Sequence, residues 1–213
     1  MAATATPPPL ESAGEMVALE VTGFEPAVVA AHANWDRPTW ECSWWRRHFP
    51  SSFLLCPRGV LRDDSPSPDD PRFTYENDRA LEAELDAGLE AMKQRWAGHV
   101  EDGPMTWVAL SRGAYLGGFI ASRRPEDFPR LILVEGGQDP WTPVNAKAFV
   151  EGGGRRVLFI CGQGACRVQA RPAAARLIHF GAEAKIEQVP GMGHGLNGDA
   201  DPIIVRHLPW LHE

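Results

Sequence analysis

The sequence predicts an α/β fold: one mostly parallel sheet of about six to seven strands with helices on both faces. Three observations carry that prediction. Short apolar runs recur along the chain, and several are apolar on both alternating positions, as strands covered on both faces must be. Helix-patterned segments separate them. The 213 residues, 44% hydrophobic and 23% charged, suffice for one well-buried core and hence one domain.

The strand-like runs are MVALEV (16–21), AVVAAH (27–32), SFLLCP (52–57), MTWVAL (105–110), LILVEG (131–136), VLFICG (157–162) and AKIEQVP (184–190). The clearest helix is 78–96, where Leu81, Leu85, Leu89 and Met92 recur at three- and four-residue spacing and acidic residues lead a basic end. Residues 167–180 and 111–122 follow the same pattern. The stretch DDSPSPDDP (63–71) reads as a surface loop, because strand-helix alternation continues on both sides of it. Residues 1–15, with Pro7, Pro8 and Pro9 in a row, are expected to form a disordered tail, leaving 16–213 as the domain.

Composition excludes several functions. Lys and Arg number 21 against 28 Asp and Glu, a net charge of -7, so no basic face is expected for nucleic acid or an acidic membrane. No apolar stretch approaches the roughly 20 residues that span a bilayer, and the N-terminus lacks a basic and then apolar leader. A cytoplasmic protein is expected. The four cysteines form no Cys-x-x-Cys pair and are expected to be reduced, buried and small, with no structural zinc site. No metal or cofactor site is expected, and oligomeric state is not legible.

The chemistry is concentrated in MTWVALSRGAYLGGFIA (105–121). A buried strand ends at Leu110, Ser111 follows at once, and the small residues Ala109 and Gly113 flank it. A sharp strand-to-helix turn strains its central residue and needs small neighbours two positions away, so Ser111 would stand exposed above the sheet. The helix N-terminus would lie beneath it, where an oxyanion forms. Taken alone, Ala-x-Ser-x-Gly also describes a helix N-cap serine. Near the C-terminus, Gly191-Met192-Gly193-His194-Gly195 follows the last strand-like run. Such a loop can bring His194 over a neighbouring strand as a general base, although a solvent-exposed loop histidine would look the same.

From about Val21 onward the chain resembles a small α/β-hydrolase of the carboxylesterase or dienelactone-hydrolase kind. His32-Ala33-Asn34 resembles the family's oxyanion loop, Cys56-Pro57-Arg58-Gly59 its strand-four ending, Leu110-Ser111-Arg112-Gly113 its nucleophile elbow, and Pro190-Gly191-Met192-Gly193-His194 the loop of its catalytic histidine. The resemblance implies Ser111 as nucleophile, His194 as base, and the N–H groups of Arg112 and Asn34 as oxyanion hole. Ala33 and Ala109 stand where the family has Gly.

The family's acid usually follows the strand corresponding to VLFICG, but here Ala165 occupies that place. Asp139, just past the preceding strand in EGGQDPW, is the expected replacement, with Glu135 as second candidate and a plain turn before Pro140 as the alternative for Asp139. Gly162-x-Gly164 after a strand also begins a dinucleotide-binding turn, yet the third glycine position is Arg167. Among the tryptophans of NWDRPTWECSWW (34–45), Trp35 is expected to wall a substrate pocket, and Trp40 and Trp44 to bury on the sheet. About 20 residues separate elbow from next strand, too few for a cap domain. An open crevice suits a small acyl substrate, an ester, lactone or thioester. The competing class is a non-catalytic hydrolase-like binding protein lacking the acid.

Overall fold

The structure, a computed structural model, describes residues 26–213. The run MVALEV, the proline-rich tail and the domain boundary expected at residue 16 lie outside the described residues. In chain order the elements are β1 (Val28–Ala31), α1 (Pro38–Arg46), β2 (Leu54–Leu55), β3 (Val60–Leu61), β4 (Phe73–Thr74), α2 (Asp78–Arg95), β5 (Thr106–Leu110), α3 (Arg112–Arg123), β6 (Arg130–Val134), α4 (Pro143–Glu151), β7 (Arg156–Cys161), α5 (Gly164–Phe180), β8 (Glu183–Gln188) and α6 (Asp201–His212). Six strands form one sheet in the order β2-β1-β5-β6-β7-β8, and every pairing in it is parallel.

Strand alternation explains why the central runs are apolar throughout. On β5, Trp107 and Ala109 pack with Leu81, Leu85, Ile120, Phe149 and Leu177, under α2 to α5. Val108 and Leu110 pack on the opposite face with Trp45, Ile204 and Leu211, from α1 and α6. Successive side chains point to opposite sides, so a strand covered twice must be apolar twice. Each such side chain contributes roughly 1.5–3 kcal/mol on burial. The edge strand β8 is less buried, and its polar positions reach α6: Glu187 meets His207 Nε2 at 2.7 Å, and Glu183 accepts from Trp210 Nε1 at 2.7 Å.

Several elements differ from expectation. The acidic loop 63–71 is the tip of an antiparallel β3–β4 pair, a hairpin of two-residue strands too short and too exposed to leave a period in the sequence. Helices α4 and α6 are additional; α4 begins at Pro143, with Thr142 Oγ1 accepting from the Asn145 N–H at 3.2 Å. On α1 it is Trp45 that is fully buried, while Trp40 is 49% exposed and Trp44 is half-buried, because the buried stripe runs through Pro38, Glu41, Cys42 and Trp45. The cysteines are joined as Cys42–Cys56 and Cys161–Cys166, not free as the spacing suggested. The first pair links α1 to the end of β2, a proximity created by the fold; the second closes the turn from β7 into α5. Among the described residues no helix is long and apolar enough to cross a membrane.

Glu41 is an acid inside this core. Its Oε2 accepts from Trp45 Nε1 at 2.9 Å, and burial pushes its pKa up to about 8, with Asp36 adding like-charge repulsion. The folded state thus holds the proton more tightly than the unfolded chain, whose value is near 4.5. This contribution is complete below that value and is lost as pH rises toward 8. Glu41→Gln mimics the protonated acid at every pH. Its melting temperature should match the wild type near pH 4 and exceed it by several degrees at pH 8, and a pH-independent gap would contradict the assignment.

Candidate active site

In a parallel sheet the strand ends share an edge, and register fixes who meets there. Ala31 lies opposite Ala109, and Leu110 opposite Val134, which in turn lies opposite Ile160. His32, Ser111, Glu135 and Gly162 follow these ends and are delivered to the carboxyl edge of the sheet. Ser111 takes φ 50° and ψ -108°, the strained elbow that the small flanking residues predicted. Its N–H donates to Val134 O at 2.8 Å, and the Gly113 N–H donates to His32 O at 3.1 Å. A Cβ at residue 113 would stand 2.4 Å from Ala31 O, so the helix can start this close to β1 only with glycine there. As the first residue of α3, Arg112 has no intrahelical partner for its own N–H.

The loop after β8 brings His194 to Ser111. Its Nε2 stands 2.8 Å from Ser111 Oγ, and Nδ1 stands 3.2 Å from Glu135 Oε2. With the proton on Nδ1, the ring donates to Glu135 and accepts from Ser111. Half of the His194 side chain is exposed, whereas that of Glu135 is 1% exposed. Glu135 has φ 49°, and its other oxygen, Oε1, accepts from the N–H groups of Gly162 at 2.5 Å and Gln163 at 2.8 Å. Those donors sit at the N-terminus of α5, where the helix dipole favours an anion. This internal carboxylate accounts for the Gly162-x-Gly164 turn that resembled a nucleotide site.

Asp139 is not where it was expected. It lies exposed on the cavity wall, and the carboxylate at Nδ1 belongs to Glu135. The reason is local: β6 ends at Val134 and the chain turns left-handed at the next residue, so the carboxylate that faces His194 comes directly from the strand end. The cavity, about 580 Å³, is lined by Ser111, Arg112 and Asn34 among others. Asn34 Oδ1 accepts from Arg62 Nη1 at 3.0 Å, and Arg62 is also paired with Asp64 at 2.7 Å. Trp35 does not line the cavity. The backbone takes φ 60° there, and its ring, 42% exposed, stacks on the Arg72 guanidinium at 4.5 Å beside the hairpin.

Beside the site lie His32, which the sequence named only as part of the loop His32-Ala33-Asn34, and Tyr75, a residue of the cavity wall that sequence reasoning missed. His32 is fully buried, with Nδ1 2.7 Å from Ala33 O and Nε2 2.8 Å from Arg58 O. Burial lowers its pKa, although both carbonyl contacts act the other way. Tyr75 is buried beside it, ring centroids 4.4 Å apart. Its position between the short hairpin and α2 gives no sequence signal. Glu135, Cys161 and Cys166 bring their ligand atoms within 4.8 Å of one another. The sulfurs are bonded to each other and the carboxylate is occupied by N–H donors and His194, which leaves no thiolate for a metal.

No protein-family model and no curated protein sequence matches the chain. Solved structures do. Esterase PE8 is 18% identical with a TM-score of 0.66, over 93% of this chain and 98% of that one. A carboxylesterase from Mesorhizobium loti is 21% identical with a TM-score of 0.58, over 86% of this chain and 88% of that one. The protein Atu2452 of unknown function from Agrobacterium tumefaciens is 17% identical with a TM-score of 0.63, over 93% and 97%. With its parallel six-stranded sheet, its covering helices and a strained elbow after β5, the chain has the α/β-hydrolase fold.

Proposed function

We propose that the protein is a serine hydrolase acting on a small carboxylic ester, lactone or thioester. The observation that carries this is the continuous chain Ser111 Oγ, His194 ring, Glu135 carboxylate, opening onto a solvent-facing cavity. Ser111 Oγ attacks the carbonyl carbon while its proton passes to His194 Nε2. Glu135 fixes the tautomer of the ring and stabilises the imidazolium that forms. The N–H groups of Arg112 and Asn34 receive the negative oxygen of the tetrahedral intermediate. His194 then returns the proton to the leaving alcohol or thiol, and water repeats the sequence to release the acid from the acyl-enzyme.

The chain between α3 and β6 runs only from 124 to 129, so no cap separates this cavity from solvent among the described residues. That favours short acyl chains over long lipids. The names of two structural neighbours, an esterase and a carboxylesterase, point the same way. The non-catalytic alternative rests on a missing acid, and the carboxylate at His194 Nδ1 favours the catalytic reading over it.

Hydrolysis of p-nitrophenyl acetate tests the assignment. Ser111→Ala should lower turnover by about 10⁴-fold or more with an unchanged circular dichroism spectrum. Glu135→Gln should cost on the order of 10³–10⁴-fold, as loss of the orienting acid does in a triad. Asp139→Asn should stay within about threefold of wild type. Equal losses at 135 and 139, or none at 135, would refute the choice of acid. A fluorophosphonate probe should label the wild type at Ser111 and leave His194→Ala unlabelled over the same interval; equal labelling would mean that the serine is not activated.

A further inference from the structure

We propose that Tyr75 is a positioning residue for the oxyanion hole, tying together the two loops that carry its N–H groups. The proposal rests on the hydrolase reading above. The two donors come from separate parts of the chain: the Asn34 N–H from the loop after β1, and the Arg112 N–H from the start of α3. Their relative placement decides the strength of the hole, because donors must lie about 2.7–3.1 Å from the oxyanion, and a misplacement of about 1 Å can cost 10²-fold.

Tyr75 is bonded to both. Its Oη accepts from the His32 N–H at 3.1 Å, two residues before Asn34, and donates to Pro57 O at 2.9 Å. Its own carbonyl accepts from Arg112 Nε at 2.6 Å, and the neighbouring Glu76 carbonyl accepts from Arg112 Nη2 at 2.7 Å. Arg112 therefore has two separable parts. Its backbone N–H faces the chemistry, while its guanidinium clamps the segment that holds the other loop. A third tie runs from the Gly113 N–H to His32 O at 3.1 Å.

Tyr75 has no role of its own in the reaction. Its hydroxyl proton goes to Pro57 O, and its oxygen is held by His32. Burial also pushes its pKa well above the usual phenol value, so it stays a hydroxyl. The ring stacks on His32, whose imidazole lies against the carbonyls of Ala33 and Arg58. The segment thus acts as a brace in the cavity wall, which Tyr75 and Glu76 line, joining the β2 end, the β1 loop and the elbow.

Tyr75→Phe keeps the ring and removes the hydroxyl; Arg112→Met keeps the backbone N–H and removes the clamp. Each folded variant should lose about ten- to a hundredfold in kcat on p-nitrophenyl acetate, with KM within twofold. The Ki of a short trifluoromethyl ketone, whose adduct with Ser111 places an oxyanion in the hole, should weaken by the same factor as kcat/KM. The shape of the pH profile should not change, because the Ser111–His194–Glu135 chain is untouched. Leu85→Ala, in the core beneath α2, should lower the melting temperature while leaving kcat and Ki alone. If Tyr75→Phe fails to fold, Arg112→Met decides. A folded variant with wild-type kcat and Ki, or with a loss confined to KM, overturns the positioning role. Ser111→Ala in the same assay separates the two ideas: wild-type turnover there refutes the hydrolase itself, whereas an inactive Ser111→Ala beside a fully active Tyr75→Phe refutes only the brace.

Discussion

Glu135 sets the terms for the rest of the site, because a carboxylate whose side chain is 1% exposed must be met by donors or it destabilises the fold by several kcal/mol. Three meet it: the N–H groups of Gly162 and Gln163, and the ring of His194. The first two require that β7 end where it does and that α5 begin at once, so that the helix N-terminus points at the acid. The third requires the 189–197 loop to fold back over the sheet edge. That approach is close enough that a Cβ on residue 162 would stand 2.3 Å from Gly193 O. Glycine at 162 thus serves both the cradle of the acid and the docking of the histidine loop.

The Cys161–Cys166 bond encloses this cradle. It spans the two donor amides, and Gln138 Nε2 reaches Cys166 Sγ at 3.1 Å from the neighbouring strand's loop. The turn from β7 into α5 thus supplies the groups that solvate the Glu135 carboxylate. Glu41 offers a contrast. It is as deeply buried but has a single indole donor, and its proton affinity rises accordingly. Burial alone does not make a carboxylate useful; the number and direction of the N–H groups around it do.

Much of this was legible in the sequence. The elbow was readable because its geometry is local: a buried strand, a serine and small residues at 109 and 113 lie within five positions, and only such a pattern allows the turn. His194 was readable because glycines on both sides of a histidine after the last strand mark a loop that can travel. The acid was not. Asp139 and Glu135 are four residues apart, and the choice between them depends on where β6 ends and on a left-handed backbone at 135, neither of which composition encodes. Trp35 failed for the same reason, its ring direction being set by a positive φ and by Arg72 from a hairpin with no periodic signature. The Cys42–Cys56 bond was invisible because the two residues meet only when α1 packs beside β2.

The sequence by itself determined the layered α/β plan, since apolar runs of strand length alternating with amphipathic helices have few other ways to bury their surface. It also determined the turn that holds Ser111 and the glycine-flanked loop that holds His194, whose local settings are short-range. Tertiary structure alone decided which carboxylate faces the ring, which amides hold that carboxylate and which tyrosine in the cavity wall bonds His32 and Arg112. These are contacts between residues about 20 to 60 positions apart, and their distances follow from sheet register and loop docking, which no local pattern of side chains specifies.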